Sequence, residues 1–174
     1  SRLLIKNFKR PAVFLDRDGV INHDYGYVHT LKKFKFKNGV IKGLKYLKNK
    51  NYYIFIVTNQ AGIGKKIYSL EKFIKLHKEL KDILTKEKIY INDVKYSPYH
   101  IEAKIKKFKK RSGFRKPGNL MIKEILKKWD ILINKSFMIG DKISDKNCAE
   151  KSHLYFEFAK NNFYYQTISI VKKS

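Results

Sequence analysis

The chain has 174 residues, with 40 Lys or Arg against 15 Asp or Glu and a single cysteine. This length suffices for one domain with a real core, residues 1–174, and one cysteine excludes an intrachain disulfide framework or a Cys-x-x-Cys metal knuckle. No apolar stretch approaches the roughly 18 residues of a membrane span, and "SRLLIKNFKRP" has too short an apolar run for a secretory signal, so a cytoplasmic protein without a membrane partner is expected. In chain order, Ala12 to Leu15 reads as a buried strand. Val40, Ile41, Leu44 and Leu47 recur at helical spacing, which predicts a helix over 39–50. "YYIFIVTN" (52–59) is a continuous apolar strand that ends on polar residues. Ser69 can cap the next helix, with Glu71 in its first turn and a buried stripe of Leu70, Phe73, Ile74, His77, Leu80 and Leu84. "VKYSPYH" (94–100) is a strand stopped by Pro98, and residues 101–116 form a basic loop. Met121, Ile122, Ile125, Leu126 and Trp129 mark a third helix. "KSFMIGD" (135–141) is another buried strand, Cys148 falls in a helix after Ser144, and 153–158 and 166–171 read as final strands. The alternation predicts an α/β fold, Rossmann-like, with a mostly parallel sheet between two layers of helices.

The net charge of +25 suggests nucleic acid, but only five of the basic residues are arginines. Lysines spread over every helix read as solvated faces. Duplex DNA binding is expected to be weak, sequence-blind and steeply salt-dependent.

The strand ends carry the chemistry. In open parallel sheets, ligands bind beyond the carboxyl ends of the strands. Asp16 and Asp18, Thr58 and Asn59, and Asp141 all stand where strands end. Two carboxylates in one cleft repel unless a cation joins them. Asp16 and Asp141 could share magnesium, a hard cation that takes oxygen ligands. One carboxylate could then attack phosphorus, and another, two residues on, could protonate the departing oxygen. A lysine and a hydroxyl would neutralise the transferring phosphoryl group.

"FLDRDGVIN", "IVTNQ", "RKP" and "MIGDKISD" occur in this order and cover nearly the whole chain. Together they resemble the four motifs of the haloacid dehalogenase (HAD) superfamily of phosphatases. With "DYGYVH" and "VTNQAGIG", the set is similar to the D-glycero-D-manno-heptose-1,7-bisphosphate 7-phosphatases, bacterial enzymes of heptose synthesis for surface polysaccharides. The resemblance implies a magnesium-dependent sugar-phosphate phosphatase without a large cap domain. It implies Asp16 as nucleophile, Asp18 as general acid and base, and Lys116 balancing the aspartyl-phosphate charge. Arg17, Thr58, Asn59, Gln60, Arg115 and Lys142 would bind phosphate or substrate. Asp16, Asp141 and the backbone carbonyl of Asp18 would hold the metal, with Lys142 and Asp145 as outer members of the last motif. Gly19 would supply backbone freedom for the turn after the nucleophile. Residues 22–36, with Tyr27 and His29, would form a flap over the site.

The resemblance also implies a structural zinc, but its ligand positions read Ser97, Tyr99, Ser112 and Phe114, so no zinc is expected. "KPGN" is shorter than the family's Lys-Pro-x-Pro-Gly. Crowded like charges between Lys104 and Lys116 predict a loop that is mobile until an anionic substrate binds. His77 reads as a core or boundary residue, and His100 cannot make a metal site alone. "AGIGKK" lacks the spacing of a nucleotide P-loop. Histidinol-phosphate phosphatase and nucleic-acid 3'-phosphatase are the alternatives within the same motif set, and a non-catalytic phosphate-ligand binding protein is the alternative outside it. A monomer acting on a small molecule is the expected state.

Overall fold

The computed structural model describes residues 9–174; the N-terminal run read above lies mostly outside the described residues. Five strands, β1 (Ala12–Leu15), β2 (Tyr53–Asn59), β3 (Asp93–Ser97), β4 (Phe137–Gly140) and β5 (Tyr155–Phe158), form one sheet in the order β3-β2-β1-β4-β5. Every pairing is parallel, with Phe14 opposite Phe55 on one side and Met138 on the other. The helices are α1 (Val40–Asn49), α2 (Ala61–Gly64), α3 (Leu70–Lys86), α4 (Leu120–Lys128), α5 (Ile143–Lys151) and α6 (Phe163–Lys173).

The central strands are apolar up to their carboxyl ends because both sheet faces are covered. Val13, Leu15, Ile54 and Ile56 point to one face, where they meet α1, α3 and α6. Ala12, Phe14, Phe55 and Val57 point to the other, where they meet α4 and α5. The expected α/β architecture is therefore present, with the polar strand ends emerging along one edge.

The Ser69 cap is present, its hydroxyl accepting from the Lys72 N–H at 3.2 Å. The α3 stripe differs from expectation. Leu76 is buried where Ile74 was placed, and Ile74 is 55% exposed. Phe73, Leu76, Leu80 and Leu84 keep the three- and four-residue spacing, and Ile74 lies one residue off that line.

The segment 166–171 is helical, not the predicted strand. It belongs to α6, whose Asn162 cap accepts from the Tyr165 N–H. Its β-branched residues favoured a strand reading, but Phe163, Thr167 and Ile170 share a buried helical face. That face packs so closely on α1 that a Cβ on Gly43 would lie 2.3 Å from the Phe163 ring.

The flap segment closes on itself through His23 N–H to Lys35 carbonyl and Lys37 N–H to Ile21 carbonyl. The basic loop contains one 3-10 turn, Lys106–Phe108. It is tied to α2, because the Lys104 and Ile105 N–H groups both donate to the Gly64 carbonyl.

Candidate active site

Parallel strands bring Asp16, Asn59 and Asp141 to one sheet edge. There Asp16 and Asn59 border a cleft of about 270 Å³ that is also lined by Asp18, Gln60, Arg115, Lys116, Lys142 and Asp145. Tyr27 from the flap and Lys65 after α2 complete its wall.

Lys116 organises the floor. Its ammonium lies 2.9 Å from Asp16 Oδ1, 2.6 Å from Asp145 Oδ1 and 2.8 Å from the Val57 carbonyl. Burial alone would lower its pKa, but the charges of Asp16 and Asp145 outweigh that and raise it. Asn59 holds the lysine backbone, accepting from its N–H at 2.9 Å and donating to its carbonyl at 3.2 Å. The Asn59 side chain thus positions Lys116, whereas the sequence suggested a direct phosphate contact.

Asp145 does more than support the motif from outside. Its Oδ2 accepts from the backbone N–H groups of Asp141 and Lys142 at 3.0 and 3.1 Å. Both oxygens are therefore engaged, one by Lys116 and one by the turn that presents Asp141.

Asp16 is nearly buried, and burial pushes its carboxyl up to about 8. Lys116 opposes that rise, and Asp145 adds to it. Burial also raises Asp141. A cation between these two carboxylates would remove the penalty.

The residues fit a hard cation. Carboxylate oxygens of Asp16, Asp141 and Asp145 lie within 4.8 Å of one another. Asp141 Oδ1 is buried and has no hydrogen-bond partner among the described residues. Asp145 is already engaged, which leaves Asp16 and Asp141 as the side-chain donors. Gly19 is required for this approach: its φ is +89°, and a Cβ there would lie 2.0 Å from Asp141 Oδ2. The implied zinc does not fit. Tyr99 and Phe114 are packed aromatic rings, and Ser112 accepts from the Phe114 N–H.

Asp18 accepts from Asn22 Nδ2 at 2.9 Å and Gln60 Nε2 at 3.1 Å. Arg17 Nη2 reaches its Oδ1 at 3.0 Å. The predicted phosphate role of Arg17 is not supported, because its side chain is fully buried and turned from the cleft. Its guanidinium also donates to the Val28 carbonyl at 2.6 Å and to His77 Nε2 at 3.1 Å. It therefore joins Asp18, the flap and α3. His77 is the boundary residue expected from the pattern, held neutral as burial and then Arg17 lower its pKa to about 3. Thr58 is likewise buried, its hydroxyl accepting from Gln60 Nε2 at 2.9 Å.

Arg115 Nη1 is buried and has no hydrogen-bond partner among the described residues. Tyr27, with φ of 49°, accepts from Lys65 through its phenol oxygen at 3.2 Å. His29 stacks on Tyr68 at 4.9 Å, and the Tyr68 hydroxyl donates to Gln60 Oε1. Asn22, Lys65 and Tyr68 were not singled out from sequence. Asn22 could have been found, since it follows Asp18 by four residues within the same motif; Lys65 is hidden among 40 basic residues.

The sheet order and this carboxylate–lysine floor define the HAD class of phosphatases. The family described as polynucleotide kinase 3 phosphatase matches residues 14–167. The chain is 37% identical over 142 residues to a D-glycero-beta-D-manno-heptose-1,7-bisphosphate 7-phosphatase of Rhodopseudomonas palustris, covering 82% of this chain and 79% of the relative. It is 41% identical over 137 residues to the corresponding alpha-heptose enzyme of Burkholderia mallei, covering 79% and 72%. Its fold is similar to D,D-heptose 1,7-bisphosphate phosphatase from B. bronchiseptica complexed with magnesium and phosphate. That match has a TM-score of 0.77 at 18% identity and covers 91% of this chain and 86% of the other. The chain belongs to the polynucleotide kinase 3 phosphatase family of the HAD superfamily, alongside the heptose-bisphosphate phosphatases.

Proposed function

We propose that this chain hydrolyses the 7-phosphate of D-glycero-D-manno-heptose 1,7-bisphosphate through an aspartyl-phosphate at Asp16. The observation that carries the mechanism is the buried Lys116 ammonium between Asp16 and Asp145, at the floor of a cleft that also contains Asp18. The relatives' names support the substrate.

Lys116 orients the Asp16 carboxylate and offsets charge that gathers at the phosphoryl oxygens. An Asp16 oxygen forms a bond to phosphorus as the bond to the sugar oxygen breaks. Asp18, protonated at this stage, gives its proton to that departing oxygen. Asp18 then takes a proton from water, whose oxygen attacks the phosphorus of the aspartyl-phosphate. The Asp16 carboxylate leaves, and inorganic phosphate is released. Asn22 and Gln60 hold Asp18 in place for both transfers. Arg115 and Lys65 offer positive charge for the remote end of a bisphosphate. Magnesium, held by Asp16, Asp141 and the Asp18 carbonyl, would supply charge neutralisation during phosphoryl transfer.

The same reading has a single catalytic domain working as a cytoplasmic monomer, without zinc or a specific nucleic-acid partner. The test is phosphate release, with magnesium, from sugar bisphosphates, histidinol phosphate and 3'-phosphorylated oligonucleotides. Heptose 1,7-bisphosphate should give the highest kcat/KM. Preference for histidinol phosphate or an oligonucleotide would replace the substrate while keeping the Asp16 chemistry.

A further inference from the structure

Outside the cleft, the described residues border a second cavity of about 410 Å³. It lies beneath the stem of the flap. Phe34 and Phe36 of that stem form one wall, Leu44 of α1 another, and Leu80 and Leu84 of α3 a third. Protein interiors leave few voids larger than one water. A space of this size, walled mainly by apolar side chains, is the size of a small ligand.

Its charged lining has one sign. Lys78 and Lys81 border it, Arg17 lies at its inner end, and no Asp or Glu lines it. Lys78 and Lys81 are both exposed. Neither forms an ion pair among the described residues. Ile74, 55% exposed, extends the apolar surface outward. An apolar slot with two unpaired ammonium groups complements a single alkyl chain with an anionic head.

We propose that this slot binds an alkyl carboxylate of the medium-chain fatty-acid class, and that its occupancy changes turnover at the cleft. The chain enters between the flap stem and α3, and the carboxylate stays beside Lys78 and Lys81, where water still reaches it. Coupling runs through Arg17. One guanidinium contacts Asp18, the Val28 carbonyl of the flap and His77 of α3. A ligand that spreads or fixes the flap stem against α3 therefore acts on the side chain that orients Asp18. The ligand's affinity must differ between these arrangements for turnover to change.

The test titrates sodium decanoate, below its micelle concentration and at physiological salt, into the full chain by calorimetry. One saturable site per chain is expected. Ile74→Trp, which places a large ring at the exposed lip, and the pair Lys78→Glu with Lys81→Glu should each weaken binding at least fivefold. Thermal midpoints close to wild type confirm that these surface variants are folded. Decanol, which lacks the charge, should bind more weakly than decanoate. Saturating decanoate should change wild-type kcat for p-nitrophenyl phosphate at least twofold, and in Ile74→Trp the half-maximal concentration for this change should rise in step with its weaker binding. The binding arm does not depend on the heptose reading, so it stands or falls separately. Absence of binding, or multi-site adsorption indifferent to Ile74→Trp, would overturn the site. Unchanged kcat at demonstrated saturation would overturn the coupling.

Discussion

Asp145→Asn tests whether the buried lysine organises the site as its geometry indicates. The Lys116 and Asp145 side chains are 2% and 1% exposed, with the ammonium 2.6 Å from Asp145 and 2.9 Å from Asp16. The asparagine keeps an oxygen for the Asp141 and Lys142 N–H groups but removes a charge. Breaking a buried pair by removing one partner costs about 3–5 kcal/mol. The retained acceptor places this variant at the lower end, about 3 kcal/mol. With a urea slope of about 2 kcal/mol/M, the midpoint should fall by about 1.5 M. The single tryptophan, Trp129, is a suitable probe because it packs on Tyr53 and Phe55. Lys116→Met alone should be similarly destabilising, since it strands Asp145. The double variant should be less destabilised than the two single losses added, because no unpaired buried charge remains at Asp145. It should nevertheless be inactive. A midpoint for Asp145→Asn within experimental error of wild type would refute the reasoning, because the pair would then be effectively solvated.

Three further outcomes are expected. Without metal, Asp16 keeps its proton to about pH 8, against a reference value of 3.8; the folded state binds the extra proton between these values, so stability falls as pH rises. His77 acts oppositely between about 3 and 6.5, so thermal midpoints measured in chelator from pH 6.5 to 8 should fall, magnesium should restore more at pH 8, and Asp16→Asn should flatten the slope while abolishing turnover. Asp18→Asn should lower kcat by roughly 10²–10⁴-fold while retaining magnesium affinity by calorimetry, because only its carbonyl is assigned to the metal. Gly19→Ala should lose magnesium affinity and turnover together, since its Cβ would fall 2.0 Å from Asp141 Oδ2; affinity equal to wild type would remove Asp141 from the metal site.

The strand pattern and the strand-end carboxylates were legible because they are local. Apolar runs such as Ala12–Leu15 announce burial on both faces, and Asp16, Thr58, Asn59 and Asp141 announce where those runs end. A parallel sheet then places them on one edge without further information. The C-terminal segment was not legible in this way. Its β-branched residues suit a strand, and only packing of Phe163, Thr167 and Ile170 against α1 selects the helix.

Side-chain direction was the second thing that tertiary structure decided. Arg17 lies between the two motif carboxylates Asp16 and Asp18 in the sequence, yet its guanidinium turns into the protein to meet His77 and Val28, 60 and 11 residues away. Lys65 and Lys75 are the same residue type in a chain of 40 cations, but only Lys65 borders the cleft. Sequence spacing by itself determined which residue types could do the chemistry and which strand end bears each. The fold decided which of them face the cleft, because an alternating α/β chain assembles its site from segments as distant as Asp16 and Lys116, joined by a buried ion pair.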